Sequence, residues 1–264
     1  DDICKLRFFY TQYLQAVGRA AGFRQAIIAA AVVSFRRFFL KRSFCEYNPL
    51  IIAPAALWVA SKHKDVSISA TTFANQVAHF NRREKIGDQK FTEAQLVAAE
   101  LDVLRVLEWE LDVSQLEQAI SYQLESVRLR EQLGDACSEN IILTAMFCAN
   151  DMLKTDVVLC YIPNDIAIAC ICCACKVHNI QMPRQIEVLA ATRRCEIDEI
   201  TDTLAALYHN CRELEGRHLF HLHERLEDLR QWKQHSVNVN ACQELCGAMH
   251  RSSHPLTLRR TFTV

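Results

Sequence analysis

Glycine and proline are scarce in this chain, at 6 and 5 of 264 residues. An all-β protein places a turn residue roughly every 8 to 12 positions and would use far more. Their scarcity, with abundant Ala, Leu, Glu, Gln and Arg, points to a mainly helical chain. An excess of one charge is also lacking. Thirty basic and 31 acidic residues leave a net charge of −1, which argues against direct binding of nucleic acid or a membrane surface. The halves differ mildly: residues 1–112 carry +3 (15 basic, 12 acidic) and residues 113–264 carry −4 (15 basic, 19 acidic). Long apolar runs are missing too. A bilayer span needs about 20 residues, and Gln25–Phe35 and Ile166–Cys175 stop well short. No signal peptide, Gly-rich phosphate loop or convincing catalytic set is visible. The chain begins Asp1-Asp2 without a Met, so the native N-terminus is expected to lie upstream.

What is present suits a packed core. Half the residues are apolar and 23% are charged, the proportions of an ordinary folded protein. The length fits one large domain or two of roughly 130 residues. Thirteen cysteines, an odd number, lie largely inside apolar runs, which reads as reduced, buried thiols in a cytosolic or nuclear protein.

An internal repeat organises the chain. Displaced by 114 residues, 26–62 lies over 140–176: Ile27 on Ile141, Ile28 on Ile142, Pro49 on Pro163, Ala53 on Ala167, Ala60 on Ala174 and Lys62 on Lys176. Each proline opens an apolar helix, and Pro suits a first helical turn. Helical period and breakers predict helices over about 4–20, 24–41, 49–63, 67–81 and 92–110 in the first unit. The second repeats them over about 114–131, 136–158, 164–179, 184–191 and 196–213. Pro54 leaves the start of the third helix open. A last amphipathic helix is expected near 217–235, with a polar tail after it. The expected architecture is all-α, two tandem five-helix bundles over 1–112 and 113–214, then a C-terminal helix and tail over 215–264.

Several clusters invite chemistry. "CICCAC" (170–175) holds two overlapping Cys-x-x-Cys pairs. Zinc needs four ligands in a closed site, whereas Cys170, Cys172, Cys173 and Cys175 match Ala56, Trp58, Val59 and Ser61 of the repeat. They read as small core residues. His218, His221 and His223 have no acid or Cys at clear ligand spacing, so a surface amphipathic helix is expected there and no metal. Arg36, Arg37, Lys41 and Arg42 form a basic group, either a solvated face or a contact patch for acidic or phosphorylated segments. Lys62 closes an apolar helix, where a lysine also simply complements the helix dipole. Glu100 lies in the stripe of Leu96, Val103 and Leu107; a carboxylate there is either at a wet rim or in want of a partner. Val97, Leu101, Leu104 and Leu111 form an adjacent stripe, so this helix is apolar on two faces, with Trp109 near an edge.

With these residues in view, the chain resembles the cyclin family. The matching pieces are "FFYTQYLQAVG" (8–18), "RQAIIAAAVVSFRRFF" (24–39), "APAALWVASK" (53–62), "AAELDVLRVLEWEL" (98–111) and "NDMLKTDVVLCYIPNDIAIACI" (150–171). The last piece and Arg24-Gln25 are most similar to the cyclin C subfamily, which is associated with Mediator; other pieces resemble cyclins L, T and K. The resemblance implies two cyclin boxes and a non-catalytic subunit, needing no cofactor, that binds and activates a transcription-associated cyclin-dependent kinase in the nucleus. It further implies that Lys62 and Glu100 bond kinase backbone, with His63 beside them and Val59, Leu101, Leu104, Trp109 and Leu111 as apolar contacts. The substrates implied are the RNA polymerase II tail and transcription factors, with Mediator kinase-module subunits as further partners. Two departures stand out. His63, Lys64 and Asp65 replace an apolar residue and two acids. Leu6, Arg7 and Tyr13 replace the Met-Arg pair and Trp of the substrate-docking patch of cell-cycle cyclins. Two rivals remain at this point. A TFIIB-like factor would bind DNA through paired cyclin folds but should be strongly basic. A helical metalloprotein built on the cysteines would carry stoichiometric metal.

Overall fold

The computed structural model describes residues 2–66, 68–86, 91–111, 116–126, 128, 131, 134–214 and 223–228. These are helical and form two compact units; no strand occurs among them. The first holds Asp1–Asp112 with the described residues from Glu213 on, and the second holds Val113–Arg212.

The first unit has five helices: α1 (Asp2–Ala20), α2 (Gln25–Lys41), α3 (Pro49–His63), α4 (Ala70–Glu84) and α5 (Glu93–Val106). Their starts follow local chemistry. The Asn48 side chain accepts the Leu50 N–H at 2.9 Å and Pro49 occupies the first turn of α3. Ser69 caps α4 through the Thr72 N–H, and Thr92 and Gln95 form a capping box on α5. Gly22, at φ +77°, makes the turn out of α1 that a side chain would strain.

The helix α3 is the centre of this unit, buried from Pro49 to Ser61 save Ile51 and packed on α2 and α5. It runs straight through Pro54, although the ring removes one i→i−4 bond. Burial on every side offsets that loss, since each large apolar side chain removed from water contributes about 1.5–3 kcal/mol. Close packing demands small residues nearby: a Cβ on Gly18 of α1 would stand 2.7 Å from Ile28 and 3.2 Å from Leu57.

The aromatic residues of "SFRRFF" explain the rest of the core. Phe35, Phe38 and Phe39 all point inward, and Phe39 stacks on Phe44 at 4.1 Å. Two expectations are corrected here. Arg36 does not belong to a surface patch; it is only 2% exposed, because it lies on a buried side of α2. Nor is His223 on a surface helix. Residues 223–228 are helical, His223 and Leu226 are buried, and a 2.7 Å hydrogen bond joins Tyr10 Oη to His223 Nδ1. Phe9 stacks on the same imidazole. His218 and His221 lie outside the described residues.

The second unit holds α6 (Leu116–Ser126), α7 (Asp135–Met152), a single turn α8 (Val157–Cys160), α9 (Pro163–Val177), α10 (Arg184–Thr192) and α11 (Arg194–Leu214). The ends of α3 and α9 both stand 114 residues apart, as do the starts of α1 and α6 and of α4 and α10. The fifth helix breaks register: α5 starts at 93 and α11 at 194. The expected helix 136–158 stops at Met152. Thr155 accounts for this: its hydroxyl bonds the Met152 carbonyl and accepts the Val157 N–H, offering the backbone an alternative to the helix. Likewise α5 ends at Val106 rather than 110, because Glu108 and Trp109 turn left-handed, at φ +56° and +63°.

Candidate functional site

The tip of α3 and the middle of α5 build one polar cluster on the first unit. Lys62 Nζ forms an ion pair with Glu100 Oε1. The other carboxylate oxygen, Oε2, accepts the Trp58 indole N–H at 3.1 Å. Lys62 also lies over the Trp58 ring, 5.1 Å from its centroid, and that ring stacks on Phe73 at 5.7 Å. Spacing along α3 explains the arrangement, since Trp58 and Lys62 are i,i+4 neighbours on one face. The helix α5 then brings Glu100 across. The Lys62 side chain is 44% exposed and that of Glu100 16%. The pair therefore sits at a rim, with the ammonium towards water and the carboxylate half-enclosed.

Around this cluster the expected apolar contacts divide. Leu101 is 44% exposed, with Val97 one turn before it at 45%, and Trp109 is 66% exposed. Val97 and Leu101 flank Glu100 along α5, and Trp109 stands exposed in the turn that follows the helix. Val59 and Leu104, in contrast, are buried in the core, and Leu111 is partly buried. As placed, Val59 and Leu104 shape the surface from beneath. His63 is exposed in the last turn of α3. Tyr13 is buried with its hydroxyl donating to Asn81 Oδ1 at 2.9 Å, and Leu6 is buried too, so neither offers an open groove.

The basic group on α2 does not act as one patch. Arg37 donates to the Glu110 carbonyl at 3.0 Å and to its carboxylate at 2.5 Å. Lys41 donates to Glu108 at 2.7 Å, which holds that carboxyl below its usual range. Arg42 is exposed at the end of the helix. With Arg36 buried, two of the four cations engaged by acids and one at the helix end, this group has another use than a free anion site.

In the second unit the cysteine-rich helix α9 behaves as core. Cys170, Cys172 and Cys175 are buried, and Cys172 donates weakly to the Met182 sulfur at 3.6 Å. Burial pushes the thiols of Cys170, Cys172 and Cys173 up, Cys172 to about 12. Thiols in that condition stay protonated, apolar and unreactive. Among the described residues no three His, Cys, Asp or Glu side chains cluster as metal ligands. Nor is any described helix long and apolar enough to cross a membrane.

Trp58 is the participant that sequence reasoning missed. Its position in the apolar run marks it as core, and nothing local announces that its N–H meets an acid 42 residues later. Arg37 and Lys41 were visible as charges, but not their partners 73 and 67 residues on.

The chain is similar to known proteins in sequence and in fold. The family model described as "Cyclin, N-terminal domain" matches residues 3–112. Cyclin-C of Rattus norvegicus is 26% identical over 219 residues, covering 82% of this chain and 77% of the relative. Cyclin-C of Drosophila melanogaster is 26% identical over 210 residues, covering 79% and 77%. Among solved structures, a chain of the CAK complex of Chaetomium thermophilum bound to ATP-gamma-S superposes with a TM-score of 0.72. It is 17% identical, covering all of this chain and 81% of that one. A chain of the yeast RNA Pol II CTD kinase CTDK-1 complex gives 0.62 at 15% identity, covering 81% and 68%.

Proposed function

We propose that this chain, whose residues 3–112 match the cyclin N-terminal domain and which is similar to Cyclin-C over most of its length, is a cyclin: the non-catalytic, activating subunit of a transcription-associated Ser/Thr kinase of the cyclin-dependent type. A protein kinase needs its β3 lysine paired with a glutamate on a movable helix. A subunit that binds only the active position of that helix turns its own binding energy into a population shift. Such a subunit needs shape and a few fixed polar groups, and no nucleophile.

The observation that carries this reading is the Lys62–Glu100–Trp58 cluster flanked on α5 by exposed Val97 and Leu101, with exposed Trp109 in the turn after that helix. A pre-formed ion pair at the rim offers both a donor and an acceptor to a partner's backbone at little ordering cost. The apolar residues around it supply area, with Trp109 as the anchor. By kinship with Cyclin-C the finer reading is a nuclear subunit of the Mediator kinase module that directs phosphorylation of the RNA polymerase II tail and transcription factors. Cyclin L-, T- or K-like partnership with an elongation or splicing kinase is the alternative outcome of the same experiment.

The test is affinity purification of the tagged chain from its native cells beside a Lys62→Glu, Glu100→Lys variant. The double change can keep an ion pair within the chain while reversing the charges a partner meets, but it takes the acceptor from the Trp58 N–H, so the folding of the variant is first matched to wild type by thermal unfolding. We expect wild type to bring down one kinase and the variant to lose it at least tenfold. The other subunits recovered distinguish Mediator from elongation or splicing assemblies. Equal recovery with both proteins overturns the assignment of Lys62 and Glu100; no kinase with wild type overturns the function.

A further inference from the structure

We propose that Arg37 and Lys41 of α2 are positioning residues that hold the turn after α5 in the strained shape presenting Trp109 to the partner. This inference rests on the kinase-docking reading and names the device that orients its anchor. Glu108 and Trp109 are consecutive non-glycine residues in the left-handed region, at φ +56° and +63°. For a side chain as bulky as Trp that conformation is a genuine outlier, and such strain persists only where surrounding bonds over-determine it.

Those bonds are present. The Glu108 N–H bonds the Arg105 carbonyl at 3.1 Å, the Trp109 N–H bonds Leu104 at 3.0 Å and the Glu110 N–H bonds Leu107 at 3.0 Å. Leu107 is buried and pins the inner side of the turn. On the outer side Arg37 spans main chain and side chain of Glu110 with two guanidinium nitrogens, and Lys41 takes the Glu108 carboxylate. Both acids flanking Trp109 are thus tied to one face of α2, and the indole between them stands 66% exposed. A solvent-exposed Trp on a backbone held from both sides is pre-organised, which reduces the ordering cost of binding. A planar guanidinium bonding two oxygens cannot be replaced by an ammonium, so Arg37→Lys should fall between wild type and charge reversal.

The experiment has two arms on the full chain. The first measures amide hydrogen exchange of residues 104–111 in the free protein for wild type, Lys41→Glu, Arg37→Glu and the swap Lys41→Glu, Glu108→Lys. The second measures capture of the kinase by the same proteins, with Trp109→Ala as reference. We expect each single reversal to speed exchange in this segment about threefold, the scale of an exposed ion pair, while the rest of the first unit is unchanged. Capture should fall in parallel, and the swap should restore both. Trp109→Ala should lose capture. Unchanged exchange in both single variants overturns the clamp. Restored exchange without restored capture in the swap means that Lys41 or Glu108 touches the partner itself, which overturns the positioning role. If wild type captures no kinase, the docking reading falls and takes the partner of this proposal with it, while the exchange arm reads the clamp on its own.

Discussion

The helices α3 and α9 occupy the same place in two copies of one plan, and only one of them ends in a binding cluster. Both open on a proline, both run 15 residues, and both carry a lysine one residue before their end, Lys62 and Lys176. Each is buried among its neighbours. Yet Lys62 meets Glu100 and the Trp58 ring, whereas exposed Lys176 bonds no carboxylate among the described residues. The difference lies away from the lysine: Cys172 stands where Trp58 does, and, counted from the helix start, Thr201 of α11 takes the place that Glu100 has in α5. The fifth helix has also lost its register, and among the described residues no acid reaches the lysine at the tip of α9. A duplicated helix therefore keeps its folding role while the site depends on what its neighbours bring.

Measurements can sharpen or break this contrast. The largest difference should appear in thiol chemistry, the mark of α9 as a core helix. With its thiol pushed up to about 12 by burial, Cys172 carries far less thiolate at neutral pH than an ordinary cysteine. Exposed Cys195 and Cys4 should alkylate with iodoacetamide in the native protein while Cys170, Cys172 and Cys175 do not. Equal labelling by mass spectrometry would count against the core reading. The sign with pH follows from the raised value. Stability from these neutral thiols is intact below pH 9, where they are protonated folded or unfolded. It is lost as pH rises towards 12, because the unfolded chain ionises first.

Next comes the exchange of one box's residue for the other's. Trp58→Cys imports the α9 side chain into α3, removing the stack on Phe73 and the bond to Glu100. Denaturant unfolding should show a loss of about 3 kcal/mol. Trp58→Phe keeps the ring and should lose about 1 kcal/mol, the share of one hydrogen bond. Similar stability in both variants would mean that the void, not the chemistry, is unimportant here.

A smaller but more telling effect concerns partners. Lys176→Glu should leave kinase recovery as in wild type, while the Lys62→Glu, Glu100→Lys variant loses it about tenfold. Loss in both would assign docking to both boxes. The least effect should be on stability itself: Lys62→Ala below about 1 kcal/mol, because half-exposed ion pairs are worth little. Lys176→Ala should fall within about 0.5 kcal/mol in thermal unfolding.

Much of the fold was legible because its signals are local. Pro49 and Pro163 each mark a helix start from within the first turn itself. Misses occurred where a helix stopped without Gly or Pro. Thr155 ended α7 through its hydroxyl, and the left-handed Glu108-Trp109 pair ended α5. Arg36 misled by its charge: helical period alone does not tell an inward arginine from an outward one. At the site, Lys62 and Glu100 were each identifiable as polar residues beside apolar stripes, and the cyclin resemblance joined them. Their meeting in one cluster with Trp58 was not legible.

The sequence by itself determined where helices begin, which faces are apolar and that one helical plan occurs twice. These depend on residues three or four apart. Tertiary structure alone decided that Lys62 finds Glu100 and Trp58, that Arg37 and Lys41 clasp the acids flanking Trp109, and that Arg36 and His223 go inward. Desolvation and ion pairing are set by neighbours that stand 38 to 213 residues away along the chain, and only packing brings them within bonding distance.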